Sequence, residues 1–267
     1  MYDFDYVRAT TLDEASRLLA EHPEAFPLSG GQTLIPALKQ RLNKPSMLVD
    51  LQDIPEMRGI EVTAHEVSVG AMTRHAEVAS HAGIAAAIPA LSHLAGGIAD
   101  PQVRHQGTIG GSIANNDPAA DYPGAVVGLG ARVLTTRRTI AADDFFTGLF
   151  STALEPGEIV VRVTFPRVRR AGYCKMPSPA SGYVMAGCFI AQTDGGVRVA
   201  VNGAGPCVFR QHGFEAALDS RFEAAALDGC TQPAVGLNAD MHASAAYRAQ
   251  LVKIAAKRAL ARALQAG

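Results

Sequence analysis

The chain has 267 residues, of which 48% are apolar and 18% are charged, and its 24 basic side chains are balanced by 25 acidic ones. This balance argues against a nucleic-acid or anionic-membrane partner, and we expect a small-molecule cofactor instead. The N-terminus lacks the pattern of a secretion signal and no apolar run reaches the roughly 18 residues of a membrane span, so we expect no membrane span and a cytoplasmic protein.

Apolar periodicity and turn residues predict the elements along the chain. In chain order they are a helix from Leu12 to near Pro23, a strand at 26–28, a helix from Leu34 to Leu42, strands at 47–51 and 66–69, a helix at 84–95 that ends at Gly96-Gly97, a helix at about 119–129, a strand at 161–165, strands at 183–193 and 197–201 joined by the hairpin Asp194-Gly195-Gly196, and a helix at about 243–265.

Three local signals support this assignment. Thr11-Leu12-Asp13-Glu14 is a capping box for the first helix. Pro166 and the basic run that follows it break the strand pattern, which predicts a domain boundary after residue 166. In the last helix one face is predicted to be an apolar, buried stripe, and most basic side chains are predicted to lie outside this stripe. The stripe consists of Tyr247, Leu251, Ile254, Ala261 and Leu264, and the basic residues are Arg248, Lys253, Lys257 and Arg262.

Two glycine pairs carry the strongest chemical signal. Gly30-Gly31 and Gly110-Gly111 each lie next to small polar side chains. Glycine lets a backbone approach a ligand closely enough for its amides to hold a pyrophosphate. We therefore predict that two loops, about eighty residues apart, converge on one dinucleotide. The chain has neither G-x-G-x-x-G nor the phosphate loop G-x-x-x-x-G-K-[ST], which disfavours a nicotinamide Rossmann enzyme or a P-loop enzyme.

Other chemistry is not indicated. The four cysteines are widely spaced, and the eight histidines show no metal-ligand spacing. We therefore predict no metal or iron–sulfur site in this chain and four buried free thiols. No catalytic carboxylate pair or nucleophile elbow stands out, so no catalytic residue is assigned. Asp143-Asp144 is predicted to be a turn leading into buried aromatic residues.

Five motifs together resemble the FAD-binding medium subunit of the molybdenum hydroxylase family, of the carbon monoxide dehydrogenase and xanthine dehydrogenase type, over essentially the whole chain. They are the segments 28–36 (LSGGQTLIP), 100–114 (DPQVRHQGTIGGSIA), 48–51 (LVDL) with Ile54, 117–121 (DPAAD), and the terminal helix that contains Tyr247-Arg248. Ser29 departs from the family's usual alanine and Asn115-Asn116 from a commoner pair, but neither change removes a backbone donor.

The resemblance implies which residues contact FAD. The loops at 29–34 and 108–112 would hold the pyrophosphate and ribose, Asp121 would meet the ribityl or adenosine side, Ile98 would lie against the flavin region, and Lys175 and Tyr183 would approach the isoalloxazine ring. From the residues alone, the alternative for Asp121 is a charge that balances a helix dipole, and Ile98 would look the same as a core residue. Lys175 and Tyr183 would be ordinary surface or sheet residues. The implied cofactor-binding set is Ser29, Gly30, Gly31, Gln32, Thr33, Leu34, Ile98, Thr108, Gly110, Gly111, Ser112, Asp121, Lys175 and Tyr183.

The resemblance also implies an α+β fold. A two-subdomain FAD-binding domain of the vanillyl-alcohol oxidase (PCMH) type, at 1–166 with subdomains at about 1–55 and 56–166, would be followed by a C-terminal antiparallel sheet with helices at 167–267. FAD would take electrons from [2Fe–2S] clusters of a small partner subunit and pass them to an external acceptor. A large molybdopterin subunit would hydroxylate the substrate, and the assembly would be a dimer of heterotrimers. The absence of clustered cysteines argues against an additional cluster in this chain.

Two other functions remain open at this point. A stand-alone flavin oxidase of the vanillyl-alcohol oxidase fold would use its own substrate pocket, although no substrate base is apparent. A non-enzymatic nucleotide-binding or scaffold module would bind no flavin. Flavin absorbance after reconstitution with FAD separates this last alternative from the other two.

Overall fold

A computed structural model describes residues 1–265. The chain begins with a three-stranded parallel sheet in the order β1-β3-β2, with one helix after each of the first two strands. Its elements are β1 (Asp5–Arg8), α1 (Leu12–Glu21), β2 (Ala25–Leu28), α2 (Leu34–Lys39) and β3 (Met47–Asp50). One half of the predicted capping box is present, since the Thr11 hydroxyl accepts from the Glu14 amide at 3.2 Å. The Glu14 carboxylate accepts from the Thr10 amide, at 2.9 Å, and not from that of Thr11. The carboxyl end of β2 runs directly into Ser29 and Gly30.

A five-stranded antiparallel sheet follows, in the order β4-β5-β10-β6-β7. Its strands are β4 (Ile60–Val62), β5 (Glu66–Gly70), β6 (Arg132–Thr135), β7 (Thr139–Ala141) and β10 (Val160–Pro166), and a 3-10 turn at Pro55–Met57 precedes it. Six helices connect β5 to β6: α3 (His75–Ser80), α4 (Ala82–Ala87), α5 (Pro89–Gly96), α6 (Pro101–Arg104), α7 (Ile109–Asn115) and α8 (Tyr122–Leu129). Helix α9 (Ala142–Phe145) and the hairpin β8 (Phe146–Gly148) and β9 (Ser151–Thr152) complete this part.

Two predicted elements of the first two parts are corrected. The helix at 84–95 is two helices, because Pro89 forces Ile88 out of the helical region, to φ −142° and ψ 75°. The helix from Leu34 ends at Lys39, and Leu42 is exposed. Asp143-Asp144, predicted as a turn leading into buried aromatic residues, lies in the single turn of α9, in which Phe145 is buried.

The C-terminal part is a four-stranded antiparallel sheet, in the order β11-β12-β13-β14, covered by helices. Its elements are β11 (Arg170–Pro177), β12 (Val184–Thr193), β13 (Gly196–Asn202), β14 (Phe209–Arg210), α10 (His212–Ser220), a 3-10 turn at Ala224–Leu227, and α11 (Ala245–Gln265). Thr193 pairs with Gly196, which confirms the predicted hairpin.

The buried face of α11 differs from the predicted one. Tyr247, Ile254 and Leu264 are exposed, and the buried face is lined by Leu251, Val252, Leu260 and several alanines. The helix lies so close to β11 that a Cβ atom on Gly172 would be 2.0 Å from the Ala259 carbonyl oxygen. Only small side chains fit at this crossing, where the helix presents Ala259 and Ala263, while Leu251, Val252 and Leu260 fill the rest of the buried face.

Arg248, predicted to lie off the apolar stripe, is buried. Its guanidinium donates to the carbonyls of Met185 and Gly203 at 2.6 and 3.1 Å and pairs with Asp240 at 2.6 Å. The prediction of four buried free thiols also needs adjusting. Cys174 and Cys188 are buried free thiols as predicted, whereas Cys207 and Cys230 are only partly buried.

The three large sheets start and end close to the predicted boundaries at residues 55 and 166. The hydrophobic core, however, continues across residue 166. One hydrophobic cluster runs from Ala9 through the central sheet to Tyr173 and Phe189 of the C-terminal sheet. Helix α8, whose eight residues are all buried, contacts β12 and β13 as well as β10. The α+β architecture with a C-terminal antiparallel sheet is therefore observed, whereas the division into domains at residue 166 stays a proposal. None of the helices within residues 1–265 combines the length and apolar character that a bilayer span requires.

Glu158 gives a testable pH dependence. Burial raises the pKa of its carboxyl, but hydrogen bonds from Arg138, Thr135 and the Glu155 amide outweigh burial and lower the pKa to about 2. A depressed pKa means that this stabilisation is present above the ordinary value of 4.5 and disappears as the pH falls towards 2. We expect Glu158→Gln to lower the free energy of unfolding by about 2 kcal/mol at neutral pH, less than the full shift implies because Arg138 is half exposed.

The measurement is urea unfolding of both proteins across the acidic range. The difference between Glu158→Gln and wild type should vanish near the lower end of that range. Glu24→Gln, at an exposed residue that forms no ion pair within residues 1–265, is the matched control and should not change the pH profile. A Glu158→Gln deficit that is the same at every pH would show that the lost contacts are not those of the carboxylate charge.

Candidate functional site

The two predicted glycine segments meet. The Ser29 hydroxyl oxygen lies 2.6 Å from the Thr108 hydroxyl oxygen, although 79 positions separate the residues. Gly30 makes the closest backbone contact of this junction, since a Cβ atom there would be 2.2 Å from the carbonyl oxygen of Gln106 and 2.7 Å from the Cα of Gly107. Any side chain at residue 30 would push the two segments apart. The convergence predicted from sequence is therefore present in the fold.

The first segment offers free backbone donors. Gly31 has φ +71°, a left-handed conformation that favours glycine. The turn then starts α2, where the Ile35 amide donates to the Gly31 carbonyl at 3.0 Å. Within residues 1–265, the amides of residues 30–34 donate to no protein acceptor. Five adjacent unpaired amides at the carboxyl end of a parallel strand are the donors that an anion needs.

The second segment is corrected in form. Gly110 and Gly111 lie in the first turn of α7, not in a loop, and Thr108 caps this helix by accepting from the Gly111 amide at 3.1 Å. The Gly110 amide donates to the Ala71 carbonyl at 2.8 Å, and the Ser112 amide to the Thr108 carbonyl at 3.1 Å. The predicted free amides of this segment are therefore already engaged. The sequence signal for a capped helix was Thr108 as the capping residue, with Ile109 and Ile113 four positions apart on one face.

Packing explains Gly110 instead. A Cβ atom at this residue would be 2.4 Å from the Cβ of Ala71, so its missing side chain lets α7 lie directly against the end of β5. At Gly111 a Cβ atom would be 3.1 Å from the Thr108 hydroxyl and 3.4 Å from the Ser29 Cβ. Gly111 therefore packs tightly against both residues of the junction. The second segment thus contributes hydroxyl groups and close packing, whereas the first contributes amides.

A cleft of about 190 Å³ opens beside this junction. It is lined by Leu28, Ser29, Gly30, Gly31, Ile35, Asp50, Gln52, Arg58, Met72, Arg74, Gln106 and Thr108. Asp50 is the one carboxylate in that lining, and its charge is matched, because it accepts from the Tyr6 hydroxyl and from the Gln52 amide at 2.9 Å and lies 3.5 Å from Arg8. Sequence reasoning did not single out Arg58 or Arg74, since no motif distinguishes them from surface arginines.

A second cluster joins the central helices to the C-terminal sheet. Asp121 is 6% exposed and accepts from the Tyr173 hydroxyl at 2.8 Å, and the Lys175 ammonium lies 3.3 Å from the same carboxylate. Lys175 also donates to the Gly97 carbonyl at 2.6 Å, next to Ile98. Burial raises the pKa of Asp121, and the attraction of Lys175 opposes that rise. Asp121 occupies the N-cap position of α8, but its carboxylate caps no amide there.

The fold thus brings together Ile98, Asp121 and Lys175 from three separate segments. Ile98 is partly buried against the core, and its carbonyl accepts from Arg104 at 2.8 Å. Tyr183 is different, because its side chain is 62% exposed and its hydroxyl has no hydrogen-bond partner within residues 1–265. Gln32 and Thr33 are likewise exposed, while Leu34 and Ser112 are partly buried.

His75 and Tyr122 are buried next to the second segment. The His75 amide donates to the Gly107 carbonyl at 2.9 Å, and the two rings are 5.3 Å apart between centroids. Burial lowers the pKa of His75 to about 4, so the ring is neutral at physiological pH. The His75 Nδ1 and the Tyr122 hydroxyl are both buried without a hydrogen-bond partner in the described chain.

These features define an α+β protein with a cleft at the junction of the two glycine segments, next to backbone amides that have no protein acceptor within residues 1–265. Comparison with known proteins gives the family. Residues 2–168 match the family model described as "FAD binding domain in molybdopterin dehydrogenase". The chain is 33% identical over 279 residues to the 6-hydroxypseudooxynicotine dehydrogenase complex subunit alpha of Paenarthrobacter nicotinovorans, covering 98% of this chain and 94% of that protein.

Two further similarities agree. The carbon monoxide dehydrogenase medium chain of Hydrogenophaga pseudoflava is 33% identical over 97% of this chain and 98% of that one. A solved structure of carbon monoxide dehydrogenase from the same organism superposes with a TM-score of 0.89 at 33% identity, covering 99% of this chain and 98% of that chain. The chain belongs to the family of FAD-binding subunits of molybdopterin dehydrogenases. The predicted family and its fold are confirmed.

Proposed function

We propose that the chain is the electron-transferring flavin subunit of a heteromeric molybdenum hydroxylase. In this proposal FAD takes electrons from the [2Fe–2S] clusters of a small partner subunit and passes them to an external acceptor. A large molybdopterin subunit hydroxylates the substrate. The observation that carries the proposal is the junction of Ser29 and Thr108, which borders a cleft. The amides of residues 30–34 have no protein acceptor, Gly30 and Gly31 line the cleft, and its one carboxylate is paired with Arg8. We further propose a cytoplasmic location and a dimer of heterotrimers.

The residues of this chain fit the anionic part of FAD. The free amides of residues 30–34 would hold the pyrophosphate, and the side chains of Gln32 and Thr33 are exposed at the same turn. The hydroxyls of Ser29, Thr108 and Ser112 would donate to phosphate or ribose oxygens. Gly110 and Gly111 would act by packing, because their amides are engaged inside the protein.

The second cluster would serve the other half of the cofactor. Ile98 would offer an apolar contact to the flavin region, and the Asp121–Lys175 pair would fix the polar groups on its ribityl side. Tyr183, exposed in this structure, would stack against the ring. FAD, when bound, supplies the electron chemistry, so the chain needs no acid–base pair of its own. The protein's task is to orient the cofactor and to leave its ring accessible to donor and acceptor.

The composition of the purified native complex tests this function. The chain should be isolated from its own organism with an affinity tag, and flavin, iron and molybdenum should be quantified in the purified material. We expect one molybdenum and two [2Fe–2S] clusters for each flavin, in three different polypeptides. The bound flavin should be reduced when the complex is given a substrate of its molybdenum subunit.

Each other result has a defined meaning. A flavoprotein that purifies without iron and molybdenum, and that oxidises a small organic molecule by itself, would contradict the proposal and support a stand-alone oxidase. A protein that stays colourless after reconstitution with FAD would contradict both functions and support a non-enzymatic module.

A further inference from the structure

Two arginines stand at the cleft beside the free amides. Arg58 follows the 3-10 turn at 55–57. Its Nε, at 3.0 Å, and its Nη2 both donate to the Gln52 carbonyl, which fixes the guanidinium at the cleft and leaves Nη1 without a protein acceptor within residues 1–265. Arg74 precedes α3 and forms an isolated antiparallel bridge with Thr108, so its backbone is tied to the same segment that meets Ser29. Arg58 is thus held by its side chain and Arg74 by its backbone, and both residues line the cleft.

The charges around these arginines are not balanced by the protein. Within residues 1–265, neither guanidinium lies within 4.0 Å of a carboxylate oxygen, whereas seventeen such ion pairs form elsewhere in that part of the chain. Asp50 lines the cleft, but it is paired with Arg8. Glu77, close in sequence to Arg74, uses its carboxylate to accept from the Arg74 backbone amide at 2.7 Å. The cleft therefore has two uncompensated positive charges and a set of unpaired amides.

We infer that Arg58 and Arg74 bind the diphosphate of the cofactor, so that the cleft holds its ADP half. This inference rests on the proposed function and adds two residues to it. A planar guanidinium forms paired hydrogen bonds with phosphate oxygens, which backbone amides alone do not provide. The ligand class is a nucleoside diphosphate, free or as part of FAD. The flavin ring then lies outside this cleft, on the side of Ile98, Asp121 and Lys175.

Matched charge-removing variants test the inference. Arg58→Gln, Arg74→Gln and the double variant should be compared with Arg167→Gln, which removes an exposed arginine outside the cleft that forms no ion pair within the described residues. The full-length apoprotein should be titrated with FAD by calorimetry, with ADP as the second ligand, at several salt concentrations. Circular dichroism should show the same fold for all variants, because the altered side chains lie at the surface.

We expect each cleft variant to bind FAD and ADP about tenfold more weakly and the double variant about a hundredfold more weakly, the loss typical of hydrogen bonds to charged groups. The double variant should also show a smaller decrease of affinity with salt than wild type. Arg74→Lys should recover part of the affinity, because the charge returns without the paired geometry. Tyr183→Ala should weaken FAD but not ADP.

Two results would contradict these expectations, and each overturns a different proposal. Wild-type and Arg167→Gln chains that bind FAD no better than the cleft variants would overturn the role of Arg58 and Arg74 and leave the proposed function intact. A wild-type chain that binds neither FAD nor ADP would refute the proposed function itself, and this inference with it.

Discussion

Replacing Gly30 with alanine is expected to weaken FAD binding by at least about a thousandfold, which corresponds to about 4 kcal/mol. The added Cβ atom would overlap the Gln106 carbonyl oxygen, at 2.2 Å, and neither backbone has a flexible group that can yield. The two segments must separate, which breaks the contact between the Ser29 and Thr108 hydroxyls and moves the free amides of residues 30–34 away from the second segment. Loss of two or three charge-assisted hydrogen bonds is enough for an effect of this size.

FAD titration of the apoprotein measures this effect, and urea unfolding of the same samples separates it from loss of the fold. Gly229→Ala is the matched control, since a Cβ atom there has no neighbour within 4 Å. Gly31→Ala should fall between the two, because its cost is a left-handed φ of +71° and a contact of 3.1 Å with a flexible Ile35 side chain. Tight FAD binding by a folded Gly30→Ala variant would show that the junction does not form the cofactor site.

The second large effect is expected at the buried pair of Asp121 and Lys175. Removing one partner of such a pair leaves a poorly solvated charge, so Asp121→Asn and Lys175→Met should each lower the free energy of unfolding by roughly 3 kcal/mol. The double variant should be less destabilised than the sum, because neither charge remains. A double-mutant cycle on the apoprotein, by urea unfolding, gives the coupling energy, which we expect to exceed about 1 kcal/mol.

The pH dependence of Lys175→Met follows from the raised pKa of Asp121. An acid with a raised pKa in the folded protein contributes most to stability at low pH, where it is protonated, and this contribution is lost as the pH rises from the ordinary value of 3.8 through the folded pKa. Without Lys175 that pKa rises further. The Lys175→Met deficit should therefore be largest at neutral pH and shrink as Asp121 takes up a proton. Strictly additive single variants, with a pH-independent deficit, would contradict a coupled ion pair.

The sequence predicted the meeting of the two segments but not how each contributes. Glycine pairs and their small polar neighbours are visible in a sequence, and the convergence of residues 29–31 with Thr108 followed from them. Whether an amide is free is decided by its tertiary partners, which is why the engaged amides of Gly110 and Gly111 were not foreseen. Arg58 and Arg74 gave no signal, because an arginine at a cleft and an arginine in water look the same in one sequence.

The terminal helix shows a similar limit. Periodicity placed α11 correctly, but the choice of its buried face followed side-chain size, and large apolar residues were taken as the inner ones. The observed helix approaches β11 at Gly172 more closely than a side chain allows, so alanines are inside and Tyr247 and Ile254 are outside. The distance between a helix and a sheet depends on the residues of both elements, so it cannot be predicted from the periodicity of the helix alone.

Helix α8 has a consequence for any attempt to shorten the chain. It is buried on all sides, with part of its surface covered by β12 and β13, and the carboxylate at its start is held by Tyr173 and Lys175. Truncation after residue 168, where the family match ends, would expose that apolar surface to water. It would also leave Asp121 without the charge of Lys175. A minimal cofactor-binding module must therefore retain the last hundred residues as its structural lid, even though the glycine junction lies wholly outside them.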